Sequence, residues 1–259
     1  MTLPVTIVIA AIFGLMIGSF LTVVVDRVPR GASIVAPGST CATCHLRLTP
    51  IDLVPVFSWL ALRGRCRRCR TGIGLEPLAL ELTTGGLFAL LAWHFRFTWE
   101  LGAFCVLAAG LLALSVIDLH TKRLPREITY ITSVLGGPLL VVAALVRDEP
   151  RRIAMAALGA TISLAIMLAV YLASRGGMGD GDVRLSPLLG AYLGWLNPGI
   201  APVGLLFGFF AGALVGVVLI VVGAAGRTTA LPFGPFLALG TVVAVFAGQP
   251  FVDLIWSRS

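Results

Sequence analysis

The sequence predicts an all-α, polytopic membrane protein with about eight transmembrane helices. Of its 259 residues, 58% are hydrophobic and 12% are charged, whereas about 25% of the residues in an average soluble domain are charged. The mean hydropathy is +1.00, so the chain has too few polar side chains to cover a soluble globule of this size. Its composition therefore excludes a soluble enzyme, a disordered chain and a nucleic-acid binder, although the sequence pI is 9.8.

Eight apolar segments are candidates to cross the roughly 30 Å of bilayer hydrocarbon as helices. They cover residues 4–25, 78–95, 101–117, 128–146, 153–173, 185–196, 200–222 and 230–247. The sixth is short and contains Pro187 and Gly190, which suggests a helix that is tilted or buried against its neighbours. The first does not resemble a cleaved signal peptide, because no basic residue precedes it and Asp26-Arg27 follows directly. Close helix packing is expected at Gly85-Gly86, Gly136-Gly137 and Gly208 with Gly212.

The basic residues of the loops predict the orientation of the chain in the membrane. With the N-terminus outside, 14 of the 19 Lys and Arg residues fall in cytoplasmic loops, Arg175 and Arg227 among them. Short cytoplasmic loops carry such an excess in membrane proteins. We therefore expect the loop after the first span to be cytoplasmic. We interpret the net charge of +7 as a means of anchoring the basic loops at the negatively charged cytoplasmic membrane surface.

Four of the five cysteines lie in this first cytoplasmic loop, as Cys41-Ala-Thr-Cys44 and Cys66-Arg-Arg-Cys69. Two C-x-x-C pairs at this separation are typical of a tetrahedral zinc site, because each short turn places two thiolates on one side of the ion. Two disulfides are the alternative, but thiols on the cytoplasmic side stay reduced, and a redox role remains open. A zinc ion held by four sulfurs has no open position for water, so the predicted zinc is structural.

The scarcity of acidic residues makes each carboxylate informative, since the chain has only 12. Asp118 ends the apolar run of the third span, and Asp180 and Asp182 lie in a glycine-rich segment on the same inner side. Acidic residues at such depth are candidate functional sites. Two carboxylates close together in a partly dry site share a proton, so one can activate water while the other protonates the substrate. The alternatives are Asp-Arg pairs, of Asp118 with Arg123 and of Asp182 with Arg184, or a proton or cation path through a transporter.

Six motifs, in order along the chain, resemble those of the type IV prepilin peptidase family, the membrane aspartyl proteases of the G-x-G-D type. They are Gly18-Ser-Phe-Leu-Thr-Val-Val-Val-Asp-Arg27-Val-Pro29, the double C-x-x-C loop with Ser58-Trp59-Leu60, Glu81-Leu-Thr-Thr-Gly85, Ile117-Asp118 with Leu124-Pro125, Gly179-Asp-Gly-Asp182-Val-Arg-Leu185, and Pro232-Phe-Gly-Pro-Phe-Leu-Ala-Leu-Gly240.

The resemblance implies an endopeptidase of the bacterial inner membrane that cleaves type IV prepilins or pseudopilins at the cytoplasmic face, after the glycine that ends a short basic leader. Its catalytic pair would be Asp118 and Asp182, supported by Gly179, Gly181 and Asp180. Longer family members, which carry the zinc loop, also methylate the new N-terminal amine with S-adenosylmethionine. The implied partners are prepilins, in pilus assembly or protein secretion, and the lipid bilayer, with no nucleic acid.

Several positions depart from the family pattern. Asp118 is the only acid of its motif, because His120 and Arg126 stand where relatives often have further aspartates. The fifth motif, Gly179–Leu185, can be read with Asp180 or Asp182 as the catalytic residue, and the following Val-Arg-Leu favours Asp182. Glu76 replaces a family arginine, which leaves a peptidase without methyltransferase activity as an alternative. Glu81 is a candidate for the methyltransferase or substrate site, or else a buried acid that hydrogen-bonds within the bundle.

The expected organisation is therefore a first transmembrane helix over residues 1–25, a cytoplasmic zinc loop with four cysteine ligands over residues 26–77, and a transmembrane aspartyl peptidase core over residues 78–259. The alternative from another functional class is a transporter that uses the same carboxylates. Transporters usually carry such charges near mid-bilayer in repeated halves, whereas both aspartate motifs here lie at the inner membrane end.

Overall fold

The computed structural model describes residues 2–174, 177–224, 226 and 231–256, apart from the side chains of 255 and 256. The α-helices in these ranges are α1 (Leu3–Arg27), α2 (Phe57–Ala61), α3 (Glu76–Phe95), α4 (Trp99–Thr121), α5 (Arg126–Val146), α6 (Arg151–Ala173), α7 (Asp180–Leu196), α8 (Ile200–Val221) and α9 (Gly234–Trp256). The described part of the chain has no β-strand, only two isolated bridges, which confirms the all-α class. The chain divides into two compact units, Met1–Ala113 and Leu114–Ser259.

Seven of the described helices are long and apolar enough to cross a membrane; α2 and α7 are not among them. The prediction of a polytopic membrane protein is confirmed, and the sixth predicted span corresponds to α7, which has 17 residues. This helix begins at Asp180, before the apolar segment that starts at residue 185, because a helix N-terminus accommodates acidic residues in its first turn. It is buried as the sequence suggests, with Tyr192 and Trp195 each 1% exposed.

Three of the basic residues that bear on the predicted orientation lie outside the described residues: Arg175, Arg227 and Arg258.

In the first unit, glycines allow α1 and α3 to approach each other closely. A Cβ atom added at Gly18 would lie 2.6 Å from the Cα of Glu81, and one at Gly14 would lie 2.8 Å from the Cα of Gly85. These distances are shorter than any normal contact, so a side chain at either position would push the helices apart. The first and third sequence motifs are therefore the two sides of one helix–helix contact.

In the second unit, α6 packs on α7 and α8 packs on α9 by the same means. Gly159 of α6 lies against Gly190 of α7, where an added Cβ would overlap the facing carbonyl oxygen. Gly208 of α8 lies against Gly240 of α9, whose added Cβ would be 2.8 Å from the Cα of Gly208. These contacts hold α7 and α9 in place, and the N-terminal ends of both helices carry residues of the candidate active site.

The predicted packing role of the glycine pairs is confirmed only in part. Gly85 and Gly208 lie at close helix contacts, but Cβ atoms added at Gly86 and Gly137 would meet no heavy atom within 4 Å. The expectation was wrong for these two, because in a helix only one residue of an adjacent pair faces a given neighbour.

Candidate active site and metal centre

The two C-x-x-C sequences form turns with the same backbone geometry. In each turn the carbonyl of the first cysteine accepts a hydrogen bond from the residue four positions later, His45 for Cys41 at 2.9 Å and Arg70 for Cys66 at 3.0 Å. His45 and Arg70 both have positive φ, at 55° and 60°. Isolated antiparallel bridges flank the turns, Thr40 with Arg47 and Arg65 with Gly72. The repeat shows that each pair of thiols is presented by an equivalent turn.

The turns bring all four predicted cysteines together. The Sγ atoms of Cys41, Cys44, Cys66 and Cys69 lie within 4.8 Å of one another, and those of Cys41 and Cys69 are 3.7 Å apart. Zn–S bonds of about 2.3 Å place tetrahedral sulfurs about 3.8 Å apart, close to the separation of Cys41 and Cys69, so the cluster could bind zinc. His45 is not part of this cluster.

Side chains outside the turns fasten the second turn to the rest of the loop. Asp52 accepts hydrogen bonds from the Thr49 hydroxyl at 2.7 Å and from Nε of Arg67 at 2.7 Å. These bonds, Thr49 first and then Arg67, lower the pKa of Asp52 to about 2. Nε1 of Trp59 donates to the carbonyl of Gly74 at 2.8 Å. This bond holds α2 against the residues that follow the second turn.

Glu81 of α3 connects the membrane helices of the first unit to this loop. Its side chain is 7% exposed, and its Oε2 atom accepts a hydrogen bond from the backbone N–H of Val56 at 2.7 Å. Val56 has φ 63° and ψ −53°, a strained γ-turn that a β-branched residue rarely adopts. The N–H of Phe57 closes this turn on the carbonyl of Pro55 at 2.6 Å. Glu81 thus holds the apolar segment Pro55–Leu60 at one defined position.

Asp118 lies in the last turn of α4, within the second unit, and is 5% exposed. Its Oδ2 atom accepts a buried hydrogen bond of 2.8 Å from the backbone N–H of Gly234, the first residue of α9. The first N–H groups of a helix have no partner within the helix and favour a negative charge. Asp118 therefore caps α9 and does not form the alternative ion pair with Arg123 among the described residues.

The two candidate aspartates of the fifth motif, Asp180 and Asp182, have opposite environments. Asp180 is exposed and forms an ion pair with Arg184. Asp182 is 7% exposed, and its Oδ1 atom is buried without a hydrogen-bond donor among the described residues. The alternative pair of Asp182 with Arg184 is thus not formed. Burial, together with the negative charges of Asp118 and Asp180, raises the pKa of Asp182 to about 7.

Leu124 packs between glycines at the start of the two helices that carry these groups. A Cβ atom at Gly181 would lie 2.9 Å from the Cβ of Leu124, and one at Gly234 would lie 2.9 Å from its Cδ2 atom. One added at Gly179 would lie 3.4 Å from Oδ2 of Asp182. The glycines of the fifth and last motifs therefore leave room for the leucine of the fourth motif and for the carboxylates.

The sequence did not indicate the role of Gly234, although the motif around it is visible. Its N–H contacts a residue 116 positions earlier in the chain. The available signals were the resemblance of Pro232–Gly240 to a family motif and the position of Gly234 between an aromatic residue and a proline at the start of an apolar run.

Comparison with known proteins matches two stretches of the chain to two families. Residues 12–95 match the family described as the bacterial peptidase A24 N-terminal domain, and residues 105–221 match the type IV leader peptidase family. The first match contains the cysteine cluster and Glu81, and the second contains Asp118 and Asp182. No solved structure matches the chain.

Curated relatives named prepilin leader peptidase/N-methyltransferase resemble the chain over most of its length. The protein of Stutzerimonas stutzeri is 32% identical, over 93% of this chain and 90% of its own. That of Burkholderia pseudomallei strain 1026b is 36% identical, over 95% and 87%, and that of Bacillus subtilis is 31% identical, over 93% and 94%. These matches support a peptidase and not a transporter. The chain belongs to the type IV leader peptidase family.

Proposed function

We propose that the chain is an aspartyl endopeptidase that removes the leader of type IV prepilins or pseudopilins at the cytoplasmic face of the inner membrane, after a glycine. The observation that carries the proposal is that Asp118 and Asp182 are both buried in the second unit, beside glycines that pack on the same residue, Leu124. Both are buried, neither forms an ion pair with an arginine among the described residues, and the charge of one acts on the other. Buried carboxylates without a cation are costly to keep unless they serve a function.

Two such carboxylates are sufficient to hydrolyse a peptide bond. Because both cannot easily ionise side by side, they hold one proton between them. The ionised carboxylate removes a proton from water as the water attacks the scissile carbonyl carbon, and the protonated one donates to the carbonyl oxygen. Gly181 lets Leu124 pack closely on the start of α7, and Gly179 leaves room for the carboxylate of Asp182, which fixes the position of that carboxylate.

A cleavage assay in membranes with a co-expressed prepilin tests this proposal, read as a mobility shift of the substrate. We expect Asp118→Asn and Asp182→Asn to abolish cleavage, and Asp180→Asn to retain it, because Asp180 is exposed and paired with Arg184. Loss of cleavage in Asp180→Asn with activity in Asp182→Asn would place the catalytic residue two positions earlier. A wild-type chain that leaves every tested prepilin uncut would contradict the proposed activity.

The proposed topology has the N-terminus outside, residues 26–77 in the cytoplasm as a zinc loop, and residues 78–259 as the peptidase core. The many arginines of the loop provide a direct test. Trypsin is expected to cut between Arg63 and Arg70 in inverted membrane vesicles and to spare this segment in right-side-out vesicles. Cutting in right-side-out vesicles alone would reverse the orientation.

The proposal includes methylation of the new N-terminal amine, because the curated relatives carry that activity in their names. S-adenosylmethionine would supply the methyl group. A cavity of about 430 Å³ in the cytoplasmic loop, lined by Gly38, Ser39, Arg47, Leu48, Thr49, Pro50 and Leu53, has the size of a small-molecule site. Its guanidinium group, from Arg47, would pair with the carboxylate of the cofactor. Glu81 does not line this cavity, and one of its oxygens is engaged by Val56.

Label transfer from S-adenosylmethionine to a cleaved pilin measures this second activity separately from cleavage. We expect Arg47→Ala to reduce label transfer while cleavage continues. Arg68→Ala is the matched control, since Arg68 is an exposed arginine of the same loop outside the cavity. A wild-type chain that cleaves but transfers no label would be a peptidase alone.

A further inference from the structure

We infer that the two aspartates have fixed and different roles: Asp118 is the ionised residue that accepts a proton from water, and Asp182 is the protonated residue that donates one to the scissile carbonyl oxygen. The inference rests on the proposed function and goes beyond it, because a shared proton by itself leaves the two roles interchangeable.

Asp118 has a contact that favours its ionised form and that Asp182 lacks. The N–H of Gly234 points at its Oδ2 atom from 2.8 Å, and this N–H belongs to the first residue of α9. A hydrogen bond from an N–H group to a carboxylate is stronger than one to a neutral carboxyl. The partial positive charge of a helix N-terminus adds to the preference. Asp118 therefore has a built-in donor that stabilises its negative charge.

The environment of Asp182 favours its protonated form. Its Oδ1 atom is buried and has no donor in the described part of the chain, so an ionised carboxylate there would lose hydration without compensation. The charges that act on it are both negative, Asp118 from α4 and Asp180 from its own helix. Arg184, the nearest cation in the sequence, pairs with Asp180.

The dipole of α7 does not reverse this preference. Asp182 lies in the first turn of α7, where a negative charge is favoured, but Asp180 lies in the same turn and is exposed. The exposed carboxylate carries its charge at little cost in hydration. A second charge, buried two residues away, would repel it.

The roles give a balanced hydrolysis. Asp118 takes a proton from water, the water oxygen bonds to the carbonyl carbon, and the proton of Asp182 moves to the carbonyl oxygen to form a gem-diol. The proton on Asp118 then goes to the leaving nitrogen as the C–N bond breaks, and Asp182 recovers a proton from the gem-diol. The products are a carboxylic acid and an amine, and both aspartates return to their initial states.

Infrared spectroscopy of the full-length protein, with only its aspartates carboxyl-labelled with ¹³C, tests the assignment without depending on activity. We expect a protonated-carboxyl band in the wild type at mildly acidic pH that disappears as the pH rises. Asp182→Asn should remove this band. Asp118→Asn should retain it with a midpoint at lower pH, because the negative charge of Asp118 is gone. Asp26→Asn is the matched control, since Asp26 is an exposed aspartate paired with Arg30.

Each outcome bears on the inference. A band that is lost in Asp118→Asn and kept in Asp182→Asn would reverse the roles. The wild-type spectrum needs no variant, so a wild-type protein without any such band would overturn the assignment even where a variant fails to fold. Prepilin cleavage by the same wild-type preparation is measured in parallel. If the substrate stays uncut while the band behaves as expected, the proposed function fails and the protonation states stand.

Discussion

A methyl group added at Gly234 tests how far the proposed catalytic pair depends on the N-terminus of α9. The new Cβ would lie 2.9 Å from Cδ2 of Leu124 and 3.0 Å from Oδ2 of Asp118, both well inside the roughly 3.5–4.0 Å of a comfortable contact. The N–H of residue 234 and the carboxylate of Asp118 must then move apart. Gly234→Ala therefore weakens the 2.8 Å hydrogen bond between them.

The size of the effect follows from the chemistry of that bond. A hydrogen bond to a charged group contributes about 1.5–3 kcal/mol, and about 1.4 kcal/mol corresponds to a factor of ten in rate. Loss of the bond should lower kcat for prepilin cleavage by about 10- to 150-fold, because Asp118, the proposed proton acceptor, is then no longer held in place and in its ionised form. KM should change little, because Gly234 is proposed to position Asp118 and not to bind the substrate.

The assay is a time course of prepilin cleavage by purified enzyme, with the thermal unfolding midpoint measured on the same samples. Gly137→Ala is the matched control: it adds the same methyl group to a helix of the same unit, where no heavy atom lies within 4 Å. A folded Gly234→Ala protein that cleaves at the wild-type rate would refute a role of this hydrogen bond in catalysis.

Other parts of the structure give three more predictions. Cys66→Ser should lower the zinc content of the purified protein, measured by atomic emission, because Cys66 is the buried member of the cluster; wild-type zinc content would exclude it as a ligand. Cleavage should fall by about tenfold per pH unit above about pH 7, since the pKa of Asp182 is raised to about 7 and its proton is lost as the pH rises. Asp180→Asn should move this decline to lower pH by less than about one unit, and an unchanged pH profile would show that the charge of Asp180 does not act on the pair. Gly190→Ala should lower the thermal midpoint, because its Cβ would overlap the carbonyl of Gly159; a cost of about 1–3 kcal/mol is expected for such overpacking, and a midpoint like that of Gly137→Ala would contradict it.

Glu81 shows where sequence reasoning reached its limit. Its position in an apolar helix marked it as unusual, and both a functional and a structural interpretation were open. The hydrogen bond to Val56 favours a positioning role for the loop, and this partner lies 25 residues earlier in a turn with unusual backbone angles. Neither the partner nor the turn has a signature in the composition around Glu81.

Features that depend on local chemistry could be predicted from the sequence alone. A continuous run of about 20 hydrophobic residues is long enough to cross a membrane as a helix, in which the backbone groups bond to one another. Two C-x-x-C pairs suffice to predict a four-sulfur cluster. The scarcity of acids singled out Asp118, Asp180 and Asp182.

The packing of the helices, and not the local sequence, decided which of these carboxylates are buried and what they contact. Asp180 and Asp182 differ by two positions, about half a helical turn, and this places one in solvent with Arg184 and the other in the interior. The donor to Asp118 comes from the first turn of a distant helix, because close packing of whole helices, which no local pattern encodes, sets where that helix begins.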